Sequence, residues 1–169
     1  MEKPVVIEEY NENWAFEYQR EAQRIKQILG VHCIAIEHIG STSVPGLGAK
    51  PIIDFMVGVH DLGEVDTWIN PLAALGYEHV YHKEFPNRRF FRKGQWRAGT
   101  HHLHIYTYGG EEWKNIILFR DYLQIHPDIR KQYEQLKQGL AEKYRNDRDA
   151  YTNAKHPFIM DVIQKAKTE

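Results

Sequence analysis

Trp14, Tyr18, Ala22, Ile25 and Leu29 recur three or four residues apart on a polar background, and Gly30 ends the run. That spacing predicts an amphipathic first helix, with Val5 to Ile7 before it as a short strand. His32 to Ile39 and Ile52 to Val59 are short apolar runs rich in isoleucine and valine, which predict largely buried strands joined by the loop Gly40 to Pro51. Asp61, with Glu64 three residues on, forms a capping box for a second helix that closes at Gly76 and is disturbed at Pro71. Tyr77 to Lys83, Arg89 to Lys93 and His101 to Tyr108 are aromatic or β-branched and predict further strands with hairpin-like connections. From Glu111 the period turns helical through Trp113, Ile116, Ile117 and Phe119 to Leu123. It breaks at His126-Pro127 and resumes through Ile129, Tyr133, Leu136 and Leu140. A last helix spans Tyr151 to Lys165, with a kink or restart expected at Pro157. The aromatic stripes of these helices have the spacing of core packing. The class is α+β, a mixed β-sheet flanked by helices with a helical C-terminal segment, in a single domain over residues 1–169.

Length and composition narrow the function. The 169 residues carry 22 Lys and Arg against 23 Asp and Glu, a net charge of −1, so no whole-surface attraction for DNA or anionic lipid exists. A hydrophobic fraction of 42% supports a packed core. The one cysteine, Cys33, reads as a small buried hydrophobe in a reducing, cytoplasmic setting. Neither a signal peptide nor a membrane span is visible. The only serines, Ser41 and Ser43, share one glycine-rich loop.

That loop holds the chemistry. Gly40-Ser41-Thr42-Ser43 follows a strand, Lys50 closes the loop, and Asp54 lies on the next strand. Glycines let backbone N–H groups approach an anion, hydroxyls add donors and a lysine neutralises charge, a combination suited to phosphate. It is neither a Walker loop nor a dinucleotide fingerprint. Gly40-Ser41, twelve intervening residues and Asp54 resemble the signature of the nucleotidyltransferase superfamily. There the Gly-Ser turn holds triphosphate and strand carboxylates hold metal ions. His38 to Thr42, Val44 to Leu47, Ala49 to Asp54, His102-Leu103-His104, Phe119 to Leu123, His126-Pro127 and Tyr151-Thr152 with Lys155 resemble the GrpB family over nearly the whole chain. The resemblance implies a nucleotidyltransferase-like fold, a bacterial cytosolic setting and, in some relatives, fusion to dephospho-coenzyme A kinase.

One departure matters. Where the superfamily has Asp-x-Asp, with both carboxylates on one strand face, this chain has Asp54 and Met56. A thioether is a poor ligand for Mg²⁺. His102 and His104 have the same two-residue spacing, and with Asp54 they would form a two-histidine, one-carboxylate site for a divalent metal. Such a set suits Zn²⁺, Mn²⁺, Fe²⁺ or Ni²⁺ better than Mg²⁺. The alternative is a metal-free, hydrogen-bonded pocket. Glu37 and His38 must point to opposite faces of their strand, and periodicity does not choose between them.

Between Lys83 and Arg97 six basic residues stand against Glu84 alone, interleaved with Phe85, Phe90, Phe91 and Trp96. Rings packed inward with charges outside is the ordinary outcome, and Arg92 is the member expected to reach a substrate phosphate. Arg120 and Lys155 are read equally as substrate clamps or structural cations, and Asp121 as structural. Asp54, His102 and His104 are the candidate catalytic or metal-holding groups. Gly40, Ser41, Thr42, Ser43, Lys50, Arg92, Arg120 and Lys155 are the candidate phosphate contacts. The function so reached is binding of a nucleotide or phosphorylated metabolite, with metal-assisted nucleotidyl or phosphoryl transfer and a link to coenzyme A metabolism. Its rival is a non-catalytic nucleotide-binding or regulatory module, and nucleic-acid binding through the basic hairpin is least favoured.

Overall fold

The computed structural model describes residues 4–95 and 98–169, so Trp96 and Arg97 of the basic segment lie outside the described residues. Helix α1 (Asn13–Leu29) ends at Gly30, whose φ of 58° suits glycine. The strands are β1 (Ala35–Ile39), β2 (Ile53–Val59), β3 (Tyr77–Val80), β4 (Arg88–Gln95) and β5 (Ala98–Thr107). They form one sheet in the order β1-β2-β5-β4-β3. Only the central pair, β2 with β5, is parallel; β1 with β2, β5 with β4 and β4 with β3 are antiparallel. A parallel pair needs a crossover. Here it contains a 3₁₀ segment (Leu62–Trp68), helix α2 (Ile69–Ala74), β3 and β4.

Three helices follow: α3 (Glu111–Ile125), α4 (Pro127–Lys143) and α5 (Arg148–Thr168). The main core lies between α1, α2 and one face of the sheet, where Ile25, Phe55, Val57, Leu72, Phe91, Leu103 and Ile105 are wholly buried. Each such side chain contributes roughly 1.5–3 kcal/mol by leaving water. A second cluster joins Val44 and Leu47 of the glycine-rich loop to Leu123, Ile129, Tyr133 and Val162 of α3, α4 and α5. The loop is therefore packed between sheet and helices.

The sequence expectations meet the structure with four differences. Val5 to Ile7 is not a strand, and the segment pairs with the loop only through an isolated bridge between Glu8 and Ala49. Asp61 accepts from the Gly63 amide, but the turn it starts is 3₁₀ rather than α. Pro71 sits in the first turn of α2, where a missing N–H loses no helical bond. Helix α5 runs through Pro157 without a restart, held by Tyr151 before it and Val162 and Ile163 after it, all buried. Cys33 is half-buried beside the main core, and burial raises its thiol pKa. No helix among the described residues is long and apolar enough to cross a membrane.

Candidate functional site

Register decides which side chains meet. Asp54 pairs with Ile39 on one side and His102 on the other; Met56 pairs with Glu37 and His104; His102 and His104 pair in turn with Arg92 and Phe90. Residues paired across strands share a face. One face therefore carries Glu37, Asp54, Met56, His102, His104, Phe90 and Arg92. The alternate positions, His38, Phe55, His101 and Leu103 among them, turn toward α1 and α2.

At the centre of the first face, Asp54 Oδ1 lies 3.2 Å from His104 Nε2 and 3.6 Å from His102 Nδ1. Burial pushes the Asp54 carboxyl up, but hydrogen bonds and positive potential from His102 and His104 outweigh it and hold the group below the usual carboxylate range. Burial pushes His104 down against the opposing pull of Asp54. A divalent metal requires an ionised carboxylate and neutral imidazoles, and the shifts of Asp54 and His104 run in those directions. One ligand atom from each of Asp54, His102 and His104 lies within 4.8 Å of the others, so the donor set fits a metal ion. Gly40, with φ of 73°, packs against this centre so closely that a Cβ would come 2.5 Å from Asp54 Oδ2. Both its left-handed backbone and its contact require glycine.

On the loop side, three lysines converge. Lys50 and Lys155 place their ammonium groups 5.1 and 4.8 Å from the centroid of the Tyr151 ring, and Lys137 lies 5.0 Å from that of Tyr133. Burial and the neighbouring Lys155 and Lys50 push Lys137 down to about 7, against Glu134. Burial and Lys50 push Lys155 down to about 8, against the pull of Asp54. Lys50 is lowered by burial and by Arg148, and raised by Asp54. Like charges drawn together in a buried setting oppose folding unless an anion sits among them. Helix α4 also fastens the loop: Glu134 accepts from the Gly48 amide at 3.0 Å, and Lys137, only 1% exposed, donates to the Gly48 carbonyl. Burial raises the Tyr133 hydroxyl above its ordinary value, and the Ser41 side chain of the Gly-Ser turn pulls it the other way.

The other sequence candidates divide. Glu37 shares the face of Asp54 but is bound by Arg120, at 2.8 Å, which also holds Asp121 at 2.9 Å and donates to the His38 carbonyl. Arg120 thereby ties β1 to α3. His38 turns to the opposite face, stacks on Tyr18 and meets Thr42 Oγ1 at 3.0 Å; burial and Arg120 push it down to about 4, against Asp54. Thr42 donates to the Ile52 carbonyl and so accepts from His38. Ser43 donates to the Gly40 carbonyl. These two hydroxyls shape the turn. Arg92 faces the site beside His102, with Glu78 at 3.7 Å. Sequence reasoning passed over Lys137 and Glu134, although Lys137 is four residues after Tyr133 and so belongs to the same helical face.

The mixed sheet, with the Gly-Ser turn after its first strand and Asp54 on its second, has the nucleotidyltransferase-like fold. By structure the chain is similar to Cid1 poly(U) polymerase, with a TM-score of 0.52 and 14% identity over 80% of this chain and 43% of that one. The chain belongs to the GrpB family, whose description, GrpB protein, matches residues 4–165. It is similar to the conserved protein GrpB from Enterococcus faecalis, with a TM-score of 0.89 and 40% identity over 95% of this chain and 96% of that one. Glutamate-rich protein GrpB from Alkalihalophilus pseudofirmus is 37% identical over 95% of both chains. The chain spans 46% of a dephospho-CoA kinase from Mycolicibacterium paratuberculosis, at 27% identity over 96% of its own length.

Proposed function

We propose that this chain binds a nucleotide or another phosphorylated metabolite between the Gly40–Ser41 turn and the lysines of the C-terminal helices, and transfers a nucleotidyl or phosphoryl group from it. The observation that carries this reading is the meeting of two oppositely charged halves: Lys50 and Lys155 feel the charge of Asp54 across the turn. In the proposed mechanism Ser41 and the loop amides orient phosphate oxygens, while Lys50, Lys137 and Lys155 neutralise their charge as it shifts toward the leaving group. A divalent metal held by Asp54, His102 and His104 would supply Lewis-acid polarisation of a phosphoryl oxygen. The two imidazoles favour Zn²⁺ or Mn²⁺ over Mg²⁺. The family's occurrence in chains that match dephospho-CoA kinases supports coenzyme A precursors as first ligands to try. A cytoplasmic setting fits the free half-buried Cys33.

A second reading, a nucleotide-binding module without turnover, has one observation in its favour. Met56 is wholly buried where a second metal carboxylate would stand, and the nearest carboxylate on that face, Glu37, is bound by Arg120. A thermal-shift screen of chelator-treated protein separates the readings, using nucleotides and coenzyme A precursors, each with Mg²⁺, Mn²⁺, Zn²⁺ or no metal. A ligand at a hundredfold excess over its Kd stabilises the native state by about 2.7 kcal/mol. The transfer reading expects a metal-dependent shift that Asp54→Asn abolishes. A shift that needs no metal and survives Asp54→Asn overturns it in favour of the binding module.

A further inference from the structure

Beyond the histidines, on the same face of the sheet, β4 presents Arg88, Phe90 and Arg92 opposite Tyr106, His104 and His102. Among the described residues, the buried side-chain polar atoms with no hydrogen-bond partner are the Nε atoms of Arg88 and Arg92. Arg92 at least has Glu78 at 3.7 Å. Arg88 has no ion pair with any carboxylate of the described residues; its side-chain partner is His82 Nδ1, at 2.8 Å, and Tyr106 stands opposite it on β5. The guanidinium is centred 4.5 Å from the centroid of the Phe85 ring and 5.1 Å from that of Phe90. Rings on this scale fix the plane of an arginine without satisfying its donors.

Arg88 also stands where two hollows meet. One, of about 170 Å³, is walled by Phe85, Asn87, Tyr106 and Glu112; the other, of about 330 Å³, by Asp66, His79, Tyr81 and His82; Arg88 lines both. Together they have the scale of a small-metabolite site. A planar guanidinium paired with no carboxylate, its Nε–H without a partner, matches the oxygens of a carboxylate or a phosphate. Glu84 and Glu112 line the same hollow, which weighs against a dianion and favours a singly charged carboxylate. The aromatic walls add a surface for a flat apolar body.

We propose that Arg88 anchors a second subsite, for a small molecule carrying a carboxylate on a flat body. The role of that molecule as the acceptor of transfer rests on the reading given above. The lysines and the Gly-Ser turn lie on the β1 side of Asp54, and Arg88 lies beyond His104 on the β4 side. In-line displacement requires the attacking atom to enter opposite the leaving group. The two charged pockets flank the reacting centre as donor and acceptor sites.

The test uses the full chain with benzoate and inorganic phosphate as probes, titrated separately and together by amide NMR, in native protein and in Arg88→Lys and Arg88→Ala. Benzoate is expected to shift the amides of Phe85 and Tyr106 and to remain bound in the presence of phosphate. Arg88→Lys keeps the charge but loses the fork, and is expected to weaken benzoate at least about tenfold at an unchanged melting temperature. Phosphate affinity, governed by Lys50, Lys137 and Lys155, is expected to stay the same. Failure of native protein to bind benzoate, benzoate binding that survives Arg88→Lys, displacement of benzoate by phosphate, or phosphate alone losing affinity would each overturn the subsite. The transfer reading fails separately. If neither nucleotides nor phosphate bind while benzoate depends on Arg88, the subsite stands and its acceptor role falls.

Discussion

Strand β5 carries two carboxylate–histidine clusters on its opposite faces, and they have opposite fates. Asp54, His102 and His104 form one; Glu17, Glu21 and His101 form the other; each brings its ligand atoms within 4.8 Å of one another. In the second cluster the charges are spent. Glu21 accepts from Lys93 at 2.9 Å and from Tyr77 at 3.0 Å, while Glu17 is held by Arg20 and meets His101 at 3.1 Å. Burial pushes the Glu21 carboxyl up, but Lys93 and Tyr77 bring it below its ordinary value. Among the described residues, no lysine or arginine lies within ion-pair distance of Asp54, and its partners are two imidazoles. The difference teaches that donor type does not make a site. A cluster is free for chemistry when its charge has no internal cation, and it is architecture when it has one.

The contrast is most sharply broken by paired mutations. Glu21→Ala removes the buried acceptor of both Lys93 and Tyr77 and is expected to destabilise the fold by about 3 kcal/mol, lowering the melting temperature by roughly 6–12 °C. Asp54→Asn is expected to shift it by only a degree or two while abolishing turnover on any substrate the screen identifies. Comparable thermal losses in both variants would erase the distinction. A competition titration with a chromophoric chelator tests the same contrast through metal. Zn²⁺ affinity should fall at least about tenfold in His104→Ala and stay unchanged in His101→Ala.

Acidity sharpens the picture on the lysine side. Lys137 at about 7 and Lys155 at about 8 are partly neutral above those values, and a bound anion favours their charged forms. Nucleotide affinity should therefore fall as pH rises from 6 to 9, by up to about tenfold per unit for each lysine that must take up a proton. Calorimetry in two buffers of different ionisation enthalpy should register that uptake, and Lys137→Met should remove its lower step. The smallest effect concerns His38. Its folded value of about 4 lies below the ordinary 6.5, so the unfolded chain binds the proton first as pH falls. Its contribution is present above 6.5 and is lost between 6.5 and 4, by about 1 kcal/mol for a partly exposed ring. His38→Gln should flatten that part of a pH–stability curve measured by urea unfolding.

What was legible in the chain was local. The period of α1, the break at His126-Pro127 and the alternate placing of His102 and His104 follow from geometry within one element. The Gly-Ser turn and Asp54 were legible because a positive φ and close packing on Asp54 demand glycine at Gly40. Whatever depends on a neighbour was not. Glu37 and His38 are indistinguishable until the register of β1 on β2 sets Glu37 opposite Met56. Val5 to Ile7 has the composition of a strand but no partner strand to extend it. Lys137 escaped, unlike Lys50 and Lys155, because charge suggests solvent, whereas it lies on the buried stripe of α4 and donates to the Gly48 carbonyl. Glu21, four residues before Ile25 on α1, is the same kind of case.

The parallel pairing of β2 and β5 has a consequence in time as well as in space. Asp54 and His104 are separated by 50 residues, and the strands that carry them meet only after α2, β3 and β4 have been laid between them. Contacts this distant along the chain form slowly, because the loop between them must close first. A nascent or half-folded chain therefore offers metal only the local pair His102 and His104, without Asp54. Capture of an ion by the three-ligand set would be a late step of assembly, and the ion would slow the reopening of the whole sheet rather than of one loop.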